Sequence, residues 1–271
     1  MSLNVRSFGE GPPIMLLHGF TGSARTWDDL FDAWSSDHHC IAPDLLGHGD
    51  SEAPVDPARY ALERQAAELA ELLGLLGAGP ATLVGYSMGA RLALVLALEH
   101  AALVERLVLE SPSAGIADAG ARAERRARDE ALARHLEQEG LAAFVDRWEA
   151  QPLFASHASM PRHRQQQQRA ERLGHDAAGL AASLRGGGQG AMHPLHDRLG
   201  HIDVPTLVIA GERDALGLER ASVVAAAIPG ARLEVVPGAG HTPHLEDPEA
   251  FLRLADPFLR LADPLRHHPS H

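Results

Sequence analysis

The chain has 271 residues, of which 45% are hydrophobic and 22% charged, so it can bury a substantial core and does not have the composition of a disordered segment. Its formal net charge of −12 excludes a general nucleic-acid binder, because phosphate binding needs a basic surface; an anionic ligand would have to be met by local arginines working against the global field. One cysteine, Cys40, excludes an intramolecular disulfide and suits a reducing compartment.

From the N-terminus, MSLNVRSFGEGPP has no basic segment followed by an apolar stretch. No signal peptide is expected, and the chain reads as cytoplasmic. Near-continuous apolar runs bounded by turn residues then predict buried strands within 13–19, 38–49, 81–87, 104–112, 205–214 and 231–241. Alanine- and leucine-rich stretches at 58–76, 89–100, 217–228 and 248–261 predict the helices between and after them. The most membrane-like run, 81–100, contains Arg91 and two glycines; it reads as strand, turn and helix, so no membrane span is expected. Strands alternating with helices define an α/β class with a mostly parallel, doubly wound sheet.

Residues 113–200 break that rhythm. They are helical, charged and amphipathic, without a strand pattern, and are expected to form an all-helical cap over the sheet's carboxyl edge, where open α/β sheets bind ligands. The expected organisation is a core of 1–112 and 201–262, a cap of 113–200 and a disordered tail of 263–271. FLRLADP occurs twice in succession, at 251–257 and 258–264, and Pro257 and Pro264 are expected to end or kink the last helix.

Gly85-Tyr86-Ser87-Met88-Gly89 stands where a strand should turn into a helix. This is the nucleophile-elbow pattern, in which glycines permit a tight turn that presents the serine hydroxyl. Asp214 follows the strand VIAG and His241 follows VVPGAG, giving the order Ser…Asp…His. His241 would accept the Ser87 proton, and Asp214 would fix the imidazole tautomer and offset its charge. After the first long strand, LLHGF brings Phe20, whose N–H with that of Met88 would form an oxyanion hole; His18 is read as bracing that loop. The pairs His38/His39, His193/His196 and His241/His244 lack further ligands, so no metal site is expected. Arg91 lies one helical turn beyond Ser87. A buried guanidinium needs an anion, either a substrate carboxylate or a core glutamate or aspartate.

LLHGFTGSARTW, DLLGHGDS, GYSMGARLAL, LVLESPS, RWEAQPLFAS and GAGHTPHLEDPEAF together resemble the α/β-hydrolase superfamily. Within it the chain is similar over about 12–260 to the 2-succinyl-6-hydroxy-2,4-cyclohexadiene-1-carboxylate synthases of menaquinone biosynthesis, most specifically in GYSMGARLAL, RWEAQPLF and the arginine of AASLRGGGQG. The resemblance implies a cofactor-free lyase that removes pyruvate from an enolpyruvyl tricarboxylate. It also implies a polycarboxylate-binding set of Arg91, Arg125 and Arg185, with Tyr86 and Trp148 lining the pocket. Arg125 stands among Arg122, Arg126 and Arg128, so which cap arginine takes that role stays open. The family's Lys-Phe after the acid is replaced here by Ala215-Leu216. A serine hydrolase, either a carboxylesterase or a C–C bond hydrolase, remains the rival through the same triad, and a silent hydrolase fold used for binding is a third reading. A monomer or small homo-oligomer is expected.

Overall fold

Buried parallel strands are apolar on both faces because helices cover both sides of the sheet. In the computed structural model, which describes residues 2–260, seven strands form one sheet: β1 (Val5–Phe8), β2 (Pro13–Leu17), β3 (His39–Pro43), β4 (Ala81–Tyr86), β5 (Val104–Glu110), β6 (Thr206–Gly211) and β7 (Arg232–Val236). Their order is β1-β3-β2-β4-β5-β6-β7. Every neighbouring pair is parallel except β1–β3, where Val5 faces Pro43 and Phe8 faces Cys40 in an antiparallel register. The six expected strands are present. The seventh, β1, is an edge strand that stays half-exposed and lacks the apolar run that marks the others.

The helices in chain order are α1 (Asp28–Trp34), α2 (Leu62–Leu76), α3 (Met88–Glu99), α4 (Ala119–Glu149), α5 (Arg162–Leu173), α6 (Ala177–Gly187), α7 (Ala215–Ala227), the single turn α8 (Pro243–Glu246) and α9 (Pro248–Leu259). Successive strand residues point to opposite faces, and the two cores divide accordingly. Leu83, Leu107 and Val208 pack with α2, α3 and α7 through Leu69, Leu92 and Val224. Val84, Val108 and Ile209 pack on the other face with Leu30, Trp34, Phe251 and Phe258 of α1 and α9. Pro257 lies within α9, which runs on to Leu259. Pro264, the tail at 263–271 and most of the second FLRLADP copy lie outside the described residues.

Between β5 and β6 the chain is helical among the described residues. α4 reads as one helix in sequence but bends at Gly140, whose φ is +81°. The region has its own small core of Leu136, Phe144, Leu180 and Leu184. Phe20, from the loop after β2, meets Phe144 and Trp148 edge-on at 6.3 and 5.2 Å, so the cap rests directly on that loop.

Three histidines brace the same region. His18 Nδ1–H donates to the Gly19 carbonyl (2.8 Å), and Nε2 accepts the Leu45 N–H (2.9 Å). His175 of the cap accepts the Gly49 N–H (3.0 Å) and donates to the Thr21 carbonyl (2.9 Å). His48 lies between them, 5.2 and 5.5 Å from the two rings. Burial pushes the His18 pKa down to about 4, despite the opposing pull of the Gly19 bond and Asp44. Unfolded, the same ring titrates near 6.5. As pH falls through that window the unfolded chain takes up a proton that the folded chain refuses, so stability is lost. His18 alone is expected to remove about 3 kcal/mol between pH 7 and pH 4. Urea unfolding of His18→Asn should start from a lower stability at pH 7 and decline less steeply; an unchanged slope would place the loss elsewhere.

Candidate active site

β4 passes into α3 through Ser87 alone, which sits at the helix N-cap with φ 50° and ψ −99°. A non-glycine residue in this region is strained and persists only where its surroundings impose it. The glycines on either side allow the close approach: a Cβ on Gly85 would lie 2.5 Å from the Gly89 carbonyl oxygen, and one on Gly89 only 1.9 Å from that of Leu17. The Ser87 N–H is tied to the Glu110 carbonyl at 2.9 Å.

Ser87 Oγ lies 3.1 Å from His241 Nε2, and His241 Nδ1 lies 2.6 Å from Asp214 Oδ2. Asp214 caps α7, its Oδ1 accepting the Gly217 N–H at 2.9 Å. Burial by itself would raise the Asp214 pKa, but the bond and charge of His241, with the Gly217 N–H, hold it below the usual carboxylate value. Asp214 is therefore ionised, Nδ1–H points at it, and Nε2 is left to take the serine proton.

The loop carrying His241 is fixed by residues that sequence reasoning passed over. Ser111 Oγ donates to the His241 carbonyl (2.9 Å). Glu246 accepts the N–H groups of Gly240 (2.7 Å) and Thr242 (3.1 Å), one on each side of the histidine. Glu110, buried at the end of β5, accepts the His244 N–H at 3.0 Å. The acid in GHTPHLED was a visible signal for Glu246; Ser111 stands in LVLESPS, but nothing in that run points to its bond with the His241 loop.

Above Ser87 is a cavity of about 130 Å³ lined by Phe20, Tyr86, Met88, Arg91, Arg125 and Trp148, as well as the triad. Met88 is the first residue of α3, so its N–H has no acceptor within the helix, and it shares this wall with Phe20. Tyr86 stands edge-on to His241, ring centroids 5.5 Å apart. The cavity adjoins an outer groove of about 820 Å³, the two sharing Arg125, Trp148, Leu153, Asp214, Leu216 and Arg220. A further groove of about 740 Å³, lined by Arg6, Asp44 and Glu171 among others, contains none of the triad.

Arg91 is 6% exposed. Its guanidinium donates to the Gly187 carbonyl at 2.8 Å and approaches Met192 Sδ at 3.6 Å. Among the described residues no carboxylate lies within ion-pair distance of it. Burial first, and then the guanidinium of Arg125, push its pKa down to about 9, with Asp129 opposing and Arg220 adding to the pressure. Such a cation calls for an anion.

Of the cap arginines, Arg125 faces the cavity, held by Asp129 (2.8 Å) and Gln189 (3.0 Å). Arg122 bonds the carbonyls of Ile116 and Ala117, Arg126 bonds that of Gly190, and Arg128 lines only the outer groove. Arg185 is not brought to the cavity. Its guanidinium is clasped by Glu130 (2.8 Å) and Glu137 (2.9 Å) of α4, because the end of α6 runs beside that acidic helix face. Half-exposed ion pairs of this kind contribute little. Arg185→Ala is accordingly expected to leave the KM for a tricarboxylate within about twofold; a tenfold rise would put Arg185 at the ligand. Among the described residues no group of three or more His, Cys, Asp or Glu is placed to hold a metal ion, and no helix is long and apolar enough to cross a membrane.

The parallel sheet, the strained serine between β4 and α3 and the acid and histidine after β6 and β7 define a protein of the α/β-hydrolase fold. The model of that family matches residues 12–248. A chain of Bacillus subtilis (strain 168) that bears the provisional name 2-succinyl-6-hydroxy-2,4-cyclohexadiene-1-carboxylate synthase is 41% identical, over 90% of each chain. The Serratia proteamaculans (strain 568) protein of the same name is 31% identical over 89% of this chain and 90% of its own. Among solved structures, MenH from S. aureus superposes with a TM-score of 0.90 at 34% identity, covering 94% of this chain and 97% of that one. A malate-bound esterase from Thermogutta terrifontis superposes at 0.83 with 27% identity, over 95% and 93%. The chain belongs to the 2-succinyl-6-hydroxy-2,4-cyclohexadiene-1-carboxylate synthase family, a lyase-type enzyme family built on the hydrolase fold.

Proposed function

We propose that the chain acts in menaquinone biosynthesis, eliminating pyruvate from 2-succinyl-5-enolpyruvyl-6-hydroxy-3-cyclohexene-1-carboxylate to give 2-succinyl-6-hydroxy-2,4-cyclohexadiene-1-carboxylate. The observation that carries this reading is Arg91: a buried guanidinium with no carboxylate within ion-pair distance among the described residues, one turn from Ser87 on the wall of the triad's cavity. A neutral ester offers it nothing, whereas a tricarboxylate offers bidentate anions.

In this reading Ser87 is a base. Its Oγ removes a ring proton next to the succinyl carbonyl while its own proton passes to His241 Nε2, and Asp214 stabilises the resulting imidazolium. The C–H electron pair moves onto the carbonyl oxygen as an enolate, which the N–H groups of Phe20 and Met88 stabilise. The pair then returns through the ring, forms the second double bond and breaks the C–O bond to the enolpyruvyl group. Protonation of the departing enolate, from the imidazolium, gives pyruvate and restores the triad. No acyl-enzyme forms.

The esterase likeness keeps a hydrolase as the second reading, since the same triad would deliver an acyl group to water. The test supplies the enolpyruvyl tricarboxylate and follows pyruvate with a coupled dehydrogenase, while short neutral esters are assayed in parallel. Pyruvate release together with the absorbance of a conjugated ring diene is expected. Rapid ester turnover with no pyruvate would establish the hydrolase instead.

A further inference from the structure

We infer that Arg220 is a third ligand-binding cation of this site, holding with Arg125 a second carboxylate at the neck between the cavity and the outer groove. The inference rests on the polycarboxylate reading above. Asp214 caps α7 through the Gly217 N–H, and Arg220 follows Gly217 at a spacing that keeps it on the same helix face. Both line the cavity, and Arg220 also lines the groove.

Arg220 is half-buried, and among the described residues no carboxylate lies within 4.0 Å of its guanidinium. The surrounding wall is cationic although the chain is acidic. Arg125, Arg128, Arg213 and Arg220 line the groove with only two carboxylates, Asp129 and Asp214. Those two are already engaged by Arg125 and His241. Burial and then the charge of Arg125 push the Arg220 pKa down, with Asp214 and Glu219 opposing too weakly to cancel them.

Size leads to the same place. The cavity holds about 130 Å³, less than the ~300 Å³ or more of typical small-molecule sites. A ligand that puts one carboxylate on Arg91 and its reacting carbon at Ser87 must extend through the neck, where Arg220 stands. Sequence inspection offered no pointer, because GLERAS reads as an ordinary solvated helix turn.

The test is calorimetric titration of the full chain with tricarballylate, a plain tricarboxylate, and steady-state kinetics with the enolpyruvyl substrate. Arg220→Gln is expected to weaken tricarballylate by about 10- to 100-fold, the range for a hydrogen bond to a charged group. It should raise KM similarly, with kcat changed little and the thermal midpoint unchanged or higher. Arg220→Lys should recover part of the affinity, and Arg253→Gln, an exposed α9 residue that lines neither the cavity nor the groove, should stay within about threefold of the parent. If Arg220→Gln binds like the parent while Arg91→Ala does not, Arg220 is a bystander and the polycarboxylate reading stands. If the parent chain ignores tricarballylate and the enolpyruvyl substrate alike, both fall.

Discussion

Replacing Ser87 by alanine is expected to lower pyruvate release by at least a hundredfold to ten-thousandfold, roughly the contribution of a positioned base, while leaving substrate affinity nearly unchanged. Ser87, Asp214 and His241 all line the cavity, but the imidazole makes a poor substitute for the hydroxyl, because Asp214 holds its Nδ1 at 2.6 Å and its Nε2 is aimed at Oγ, 3.1 Å away. Affinity should survive because the carboxylate-binding groups are on other residues. Alanine also keeps the backbone turn that Gly85 and Gly89 permit, so the loss would be chemical and not a failure to fold. Direct titration of the variant with substrate, and the rate of pyruvate formation, check the two halves separately. A variant that retains a tenth or more of the parent rate would remove Ser87 from the proton transfer.

Arg91→Ala is expected to reduce kcat/KM for the tricarboxylate by about a hundredfold to several thousandfold, the effect of stranding one partner of a buried ion pair. Turnover of a neutral ester, if any, should change by no more than about threefold. This asymmetry follows from what Arg91 touches. Its protein contacts are a carbonyl, Gly187, and a thioether, Met192, neither of which balances a charge. Stability should hold or rise, because removing a buried cation that has no ion-pair partner among the described residues relieves a desolvation cost. Equal losses on both substrates, together with a lower thermal midpoint, would make Arg91 a structural residue.

How much of this was visible beforehand depends on the kind of signal. The inner parallel strands were legible because burial on both faces writes them as apolar runs, as in Leu83-Val84 and Val208-Ile209; β7, half-exposed at the other edge, was legible from Leu233, Val235 and Val236 before a glycine-rich turn. β1 was not, since an edge strand such as VRSF stays half-exposed and carries a charge. Ser87, Asp214 and His241 were legible through their order and their places at strand ends, which are properties of the chain. Arg91 was legible because helical spacing ties it to Ser87.

Arg185 shows the limit. Its motif resembled a ligand-binding one, yet its guanidinium is taken by Glu130 and Glu137, carboxylates about fifty residues away in sequence that only the packing of α6 on α4 brings near. Arg220 is the converse case, a helix charge that tertiary packing turns toward the cavity. Ser111 and Glu246 likewise gain their roles only when the β5 and β7 loops meet. Charges far apart in sequence choose partners in space, and periodicity contains no record of that choice.

The most direct measurement is a single-turnover reaction with enolpyruvyl tricarboxylate carrying deuterium at the ring carbon beside the succinyl carbonyl, followed by mass spectrometry of the quenched protein. Serine acting as a base predicts pyruvate release slowed by the deuterium and a Ser87 peptide of unmodified mass at every time point. Release indifferent to the deuterium, with a transient adduct on Ser87, would contradict it and mark a nucleophile.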